Sequence, residues 1–216
     1  GTKPLEGFSS PMLVVAAARC TPWRSGNAVE PLFAGQQVFD SMFATIAAAR
    51  RSIFLETYTL EATGPGERLA DLLAQKAANG VDVRVMFDSF GSLRTGRSYF
   101  ESLAAHGVQV REFNPVRPWH KRFRWALNQR THRKLLIVDH EVAFIGGVNI
   151  SRVYSSGSSG GRPATAQAQC PWRDTHARLR GPIVADLQTL FLEHWFEQGG
   201  TAIAAPEMAE ALRRAV

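Results

Sequence analysis

The stretch from Thr131 to Ser151, THRKLLIVDHEVAFIGGVNIS, constrains this chain more than any other. His132 and Lys134 sit two residues apart at the head of an apolar run, Leu135 to Val138. Alternate side chains of a strand share a face, so the spacing predicts that imidazole and ammonium point the same way. Asp139 closes the strand, Val142 to Ile145 read as a second one, and Gly146-Gly147 lead to Asn149. Glycine permits close backbone approach, so a nucleophile, a fixed cation and a carboxamide donor can converge there. Such a set suits a phosphate. The same residues also fit an ordinary half-buried strand with a solvated His and Lys.

Helices and strands alternate on either side. Val38, Phe39, Met42, Phe43 and Ile46 recur at helical spacing within Gln36 to Arg50. Ser52 to Leu60, SIFLETYTL, is rich in β-branched and aromatic residues and predicts a central strand. Glu56 stands out in it, because a carboxylate in a buried strand needs a partner. An exposed strand end and a place at the site are both open to it. Gly66 to Ala78 reads as a helix ended by Asn79-Gly80, with VDVRVMF alternating after it as a strand. Arg97 to His106, Gly107 and VQVREF repeat the theme. Each glycine supplies a left-handed helix cap, and the echo marks α-turn-β units of one open sheet. Asp88-Ser89-Phe90-Gly91 falls just past a strand's carboxyl end, where α/β sheets usually hold ligands. Asp174 to Arg180 alternates as a strand. Ile183 to Phe196 predicts a helix with Val184, Leu187, Leu190, Phe191 and Trp195 inward.

These elements predict an α/β domain over residues 29–198. Residues 1–28 form an irregular lead-in with one strand at Met12 to Ala17, and residues 199–216 a tail or the start of a missing second half. The 216 residues suffice for one sizeable core. Apolar content of 45% and charged content of 20% are ordinary for a globular protein, which sets aside disordered and fibrous classes. No run approaches the roughly 18 apolar residues that would span a bilayer. The chain opens Gly1-Thr2 without methionine, so a segment excised from a longer protein is expected, with any targeting or anchoring portion cut away. Cys20 and Cys170 form no C-x-x-C pair; whether they bridge stays open.

The net charge of +6 favours polyanionic partners. Phe113 to Val138 contains no acidic residue and interleaves Arg117, Lys121, Arg122, Arg124, Arg130, Arg133 and Lys134 with Trp119, Phe123 and Trp125. That mixture suits a membrane interface, single-stranded nucleic acid, or a basic surface loop with rings packed on the core. Its place directly before the His132 stretch favours substrate or membrane contact. Gly157-Ser158-Ser159-Gly160-Gly161 formally matches a hydrolase elbow but lacks the strand and helix that motif needs, and is compositional.

The order His132, Lys134, Asp139, Gly146, Asn149 resembles the HKD motif of the phospholipase D superfamily, H-x-K-x4-D-x6-G-S-x-N, with Gly147 in place of the serine. The Gly-Gly form, and Trp172-Arg173-Asp174-Thr175-His176 followed by Arg180-Gly181-Pro182, is similar to the bacterial cardiolipin synthase branch. The resemblance runs from about Val29 to Phe196. It implies a sandwich with a mixed central sheet flanked by helices on both faces. It also implies a phosphatidyltransferase acting on phosphatidylglycerol through a phosphohistidine, with phospholipase D-like hydrolysis when water is the acceptor.

In that reading His132 attacks phosphorus, Lys134 neutralises the non-bridging oxygens, Asn149 donates a hydrogen bond, and Asp174 fixes the imidazole tautomer. Gly146, Gly147, Arg133 and Glu56 are expected on the substrate-phosphate side. Strand alternation turns Asp139 away, so its role is structural. His176 and His120 are expected to be bystanders. The family's reaction uses two HKD motifs and this chain holds one. The resemblance therefore implies the amino-terminal half of a two-motif enzyme, completed by a missing carboxyl-terminal half or by a homodimer partner. Expected partners are anionic phospholipid and a bacterial envelope membrane surface, with nucleic acid less favoured. Two rivals stay open: a single-motif homodimeric nuclease, and a silent half-domain that only binds lipid or nucleic acid.

The sequence has no H-E-x-x-H, no paired-cysteine spacing and no P-loop, so neither a metal nor another cofactor is expected. Phosphodiester turnover should accordingly survive saturating EDTA. Loss of activity with EDTA and its return with a divalent ion would contradict this.

Overall fold

A computed structural model describes residues 25–115, 130–155 and 174–201. The strand expected at Met12 to Ala17, both cysteines, the basic-aromatic residues from Arg117 to Trp125 (with His120), the Ser/Gly-rich segment, Trp172-Arg173 and most of the tail lie outside them. The described strands are β1 (Ala28–Leu32), β2 (Ser52–Thr57), β3 (Asp82–Asp88), β4 (Gln109–Phe113), β5 (Leu135–Val138), β6 (Val142–Gly146) and β7 (His176–Arg180). They form one seven-stranded sheet in the order β1-β7-β6-β5-β2-β3-β4. β2, β3 and β4 are parallel; β2–β5, β5–β6, β6–β7 and β7–β1 are antiparallel. The sheet is mixed, as expected for a phospholipase D-like α/β sandwich.

Four helices are described: α1 (Gly35–Ala48), α2 (Pro65–Ala78), α3 (Arg97–Ala105) and α4 (Ile183–Glu197). The parallel strands are joined through α2 and α3, because parallel neighbours require a crossover. Those helices end at Gly80 (φ 82°) and Gly107 (φ 88°), where glycine takes the left-handed conformation at no steric penalty.

Strand alternation divides the core. Ile53, Leu55, Val83, Val85, Leu136 and Phe144 pack with Phe39, Phe43 and Ile46 of α1, Leu69 and Leu73 of α2 and Leu103 of α3. Phe54, Met86, Leu135, Ile137 and Ala143 pack on the other face with Val184, Phe191 and Trp195 of α4. Among the described residues, three helices thus cover one face and α4 covers the other. Each of the large fully buried side chains, Trp195 and Phe191 among them, contributes about 2–3 kcal/mol of transfer free energy.

Two local departures from expectation have simple causes. β1 (Ala28–Leu32) begins at the last residue of the stretch read as lead-in, where no strand was expected. Its burial pattern is exposed until Leu32, so there was no apolar periodicity to see, and pairing with β7 defines it. Leu190, expected inward, is 39% exposed on the outer side of α4.

Asp139 ties the sheet to its neighbour. Asp139 and His140 turn β5 into β6 at φ 53° and 62°. The Asp139 carboxylate accepts backbone N–H groups from Arg50 (2.9 Å), Arg51 (2.7 Å) and Ser52 (3.0 Å), which open β2. Removing a charged acceptor leaves those donors to solvent or to nothing. Asp139→Ala should therefore lower stability by about 1–3 kcal/mol in urea unfolding, leaving the fold recognisable by circular dichroism.

Candidate active site

His132 and Lys134 lie in an extended segment that leads into β5, at the end of the sheet where β2, β3 and β4 terminate. Sheet geometry puts both on the face covered by α1 to α3. There they meet: Lys134 Nζ is 3.1 Å from His132 Nδ1 and donates to the His132 carbonyl at 2.8 Å. His132 is exposed, whereas Lys134 is 4% exposed. Burial lowers the Lys134 pKa and the Asp174 carboxylate partly offsets this. The Tyr58 ring stands 5.0 Å from the imidazole and 5.4 Å from the ammonium, and so braces both.

A second group of polar side chains gathers beside this pair. Tyr154, from the short 3-10 turn Arg152–Tyr154, donates its hydroxyl to Asp174 Oδ2 at 2.9 Å. Asn149 Nδ2 is 3.5 Å from that hydroxyl, and Asn149 Oδ1 accepts the Thr59 N–H at 3.2 Å. Burial raises the Tyr154 pKa; the Asn149 contact lowers it, and Asp174 raises it further. Tyr154 therefore keeps its proton as a donor. Asp174 and Thr175 precede β7 rather than belonging to it. The hydrogen bond that orients Asp174 comes from Tyr154, in place of the expected one to His132.

The two glycines have separate reasons. A Cβ on Gly146 would lie 2.4 Å from the Thr175 carbonyl oxygen and 2.5 Å from His176 Cα, so β6 and β7 approach too closely there for any side chain. A Cβ on Gly147 would lie 2.8 Å from Asp174 Cγ. Glycine in place of the motif's serine thus leaves the Asp174 carboxylate its position. His176 is buried against this arrangement with its Nδ1 unpartnered.

Glu56 and Arg133 are placed elsewhere. Alternation turns both to the α4 face, away from Lys134. Glu56 is fully buried, so its expected contact with a substrate phosphate is corrected to an internal one. Its Oε1 accepts from Thr131 Oγ1 and lies 3.0 Å from His194 Nδ1 of α4. Arg133 Nη1 is 3.0 Å from His194 Nε2. The His194 ring thus sits between the Glu56 carboxylate and the Arg133 guanidinium. Asp88, also fully buried, accepts the Thr131 N–H at 3.2 Å, together with the Phe90 (2.9 Å) and Gly91 (3.1 Å) N–H groups. Two buried carboxylates, from β2 and β3, thus hold the residue that precedes His132.

Sequence reasoning had only a strand-end pointer to Asp88, and it did not find Tyr58, Thr131, Tyr154 or His194. Tyr58 in ETYTL, two residues past Glu56, was the only one with a local signal. No metal-holding cluster of His, Cys, Asp or Glu occurs among the described residues, and none of their helices is long and apolar enough to cross a membrane.

Comparisons with known proteins bear on the family and the fold. The family described as "Cardiolipin synthase, PLD-like domain" matches residues 42–157. Cardiolipin synthase A of Pseudomonas aeruginosa (strain LESB58) is 38% identical over 194 residues, covering 90% of this chain and 37% of that protein. Cardiolipin synthase A of Pseudomonas putida (strain W619) is 39% identical over 175 residues, covering 81% and 34%. The chain thus spans little more than a third of these relatives. Among solved structures, Nuc from Salmonella typhimurium, a phospholipase D family member, superposes with a TM-score of 0.53 at 20% identity, over 81% of this chain and 95% of that one. Phosphatidylserine synthase of Haemophilus influenzae Rd KW20 gives 0.54 at 15% identity, over 87% and 42%. Both establish the fold.

Burial lowers the His176 pKa from 6.5 to about 4; Asp174 opposes the shift and Lys134 adds to it. Between those values the unfolded chain binds a proton that the folded one refuses, so stability falls as pH drops from about 6.5 towards 4. Replacing His176 with Gln should flatten that part of the stability–pH curve, measured by urea unfolding at a series of pH values. An unchanged slope would place the acid sensitivity in another group.

Proposed function

Since the chain belongs to the PLD-like domain family of cardiolipin synthase, we propose that it supplies one half-site of a phosphatidyltransferase that uses phosphatidylglycerol as donor and acceptor. The observation that carries this reading is the His132–Lys134 contact at 3.1 Å beside the Asn149–Tyr154–Asp174 group. It pairs an exposed nucleophile with a sheltered cation and two neutral donors.

His132 attacks the phosphorus of the donor lipid. A nitrogen–phosphorus bond forms, and the bond from phosphorus to the headgroup glycerol oxygen breaks. Lys134 flanks Nδ1, so attack comes from Nε2, in the tautomer that carries its proton on Nδ1, while the Lys134 ammonium donates to the His132 carbonyl. Lys134 and Asn149 stabilise the charge that develops on the non-bridging oxygens, in a site partly shielded from water. The departing glycerol oxygen takes a proton from a general acid, a role for which the second HKD motif, in another segment or another copy, is suited. The acceptor's hydroxyl then attacks the phosphohistidine, returns a proton to that group and frees His132. With water as acceptor the product is phosphatidic acid. Asp174, held by Tyr154, supports this electrostatically through Lys134. The phosphorylated lipid surface also fits the net charge of +6 and peripheral attachment to a bacterial membrane.

The test is turnover of labelled phosphatidylglycerol by the protein, alongside its mass in solution. His132→Ala should lower turnover by about a thousandfold or more while binding of anionic vesicles persists. Equal turnover by wild type and His132→Ala would remove the nucleophile from this chain. An active dimer would mean that two copies complete the site; an inactive monomer would mean that a second half is required.

A further inference from the structure

The end of the sheet opposite His132 holds a cleft with chemistry of its own. Seven residues of extended chain and strand separate His132 from Asp139, roughly 20 Å. Around Asp139 a space of about 510 Å³ opens between α1 and the β5–β6–β7 part of the sheet. Its apolar lining is Val138 and Val142, and the wall towards α1 carries Ala44 and Ala48, whose short side chains leave room. The rest is largely arginine. Arg50 and Arg51 follow α1, and Arg178 and Arg180 project from β7. Register explains the second pair. Arg178 lies opposite Phe144 and Arg180 opposite Val142, two residues of the core under α1 to α3. Side chains directly opposite each other share a face, so both guanidinium groups stand on the α1 side.

The donors gathered here are largely unused. Arg50 and Arg180 are exposed, and their guanidinium groups make no hydrogen bond or ion pair among the described residues. Arg178 is held on one side, through Nη1 to Glu30 at 3.3 Å. Its Nε is buried without a partner. Nε and Nη2 form the side-on edge of a guanidinium, two parallel N–H groups that meet two oxygens of one phosphate. A buried N–H without an acceptor is unfavourable, and an oxyanion in the cleft supplies one. The neighbouring carboxylates leave this edge open. Both Asp139 oxygens are taken by the Arg50, Arg51 and Ser52 N–H groups. Glu30 is 57% exposed and meets Arg178 at Nη1 alone, and Glu141 is exposed at the rim. Four guanidinium groups around a space larger than one phosphate fills call for more than a single oxyanion.

We propose that this cleft is a second anion-binding site, separate from His132, and that it takes a ligand carrying two phosphate groups, one on the side-on edge of Arg178 and the other held by Arg50 and Arg180. A soluble diphosphate and the headgroup of a lipid with two phosphodiesters share that chemistry. The site stands at the far end of the sheet from the nucleophile, so it takes no part in the phosphoryl transfer proposed there and does not depend on that reading.

Inorganic pyrophosphate is the soluble probe, and phosphatidylcholine vesicles with and without cardiolipin are the lipid one. Both are added to the Lys134→Ala protein, so that the His132 site does not compete for phosphate. Backbone amide NMR follows pyrophosphate, and co-sedimentation follows the vesicles. Pyrophosphate should move the Val142 and Arg180 amides with one-site saturation, and bind about tenfold or more tightly than inorganic phosphate. Arg178→Gln and Arg180→Gln should each weaken it by about tenfold or more, with amides elsewhere unchanged to show that the variants are folded. Arg178→Lys keeps the charge without the fork and should recover only part of the affinity. Glu30→Gln releases Nη1 of Arg178 and should tighten binding. The same arginine dependence with cardiolipin vesicles, and none with pyrophosphate, would keep the site and assign it to a lipid headgroup. Arginine dependence in neither arm would overturn the proposal. Equal affinity for phosphate and pyrophosphate, with cardiolipin vesicles binding no better than phosphatidylcholine alone, would overturn it too.

Discussion

Thr131 is the point on which the site hangs. Its N–H goes to Asp88 and its hydroxyl to Glu56, two carboxylates with no solvent exposure that come from adjacent parallel strands. Buried carboxylates are costly unless their oxygens are satisfied, and here part of the compensation is the segment that carries His132. The extended segment entering β5 is consequently fixed against the ends of β2 and β3. His132 follows Thr131 directly and inherits that position, beside Tyr58 and Lys134. Loop backbone would have to spend conformational entropy to reach the same place, about 1–2 kcal/mol per residue.

From this anchor, alternation distributes roles. Even-numbered His132 and Lys134 face the side of the sheet under α1 to α3, towards Asn149, Tyr154 and Asp174. Odd-numbered Thr131 and Arg133 face α4, where Glu56 and His194 receive them. One four-residue segment therefore serves two environments with little cross-talk. The side with three helices is deeply packed and can shelter an ammonium. On the side that α4 covers, a cleft opens beside Arg133 and His194.

The glycines show how tertiary packing selects a variant of a motif. At Gly146 the neighbouring strand's backbone excludes any side chain, a demand that follows from sheet register alone. At Gly147 the excluded volume belongs to the Asp174 side chain, so glycine there is coupled to a residue 27 positions away. Tyr154 brings a phenol to that carboxylate.

Much was legible before any coordinates. Helical periodicity marked α1 and α4, β-branched and aromatic content marked β2, alternation marked β3, an apolar run marked β5, and glycine caps marked the ends of α2 and α3, because these depend on neighbours within a few residues. The His132–Lys134 pairing was legible for the same reason, since a strand's period of two is local. β1 was not legible, since a solvated strand has no apolar pattern and exists only by pairing with β7. The partners of Glu56, the Tyr154–Asp174 bond and the Arg133–His194 contact were equally hidden, joining residues 20 to 138 positions apart. The sequence by itself determined the alternating elements, the family and the pairing of His132 with Lys134 on one face. Only the tertiary structure decided which face each charged side chain took and which carboxylates held the residue before His132. Those depend on sheet order and burial, which no local spacing encodes.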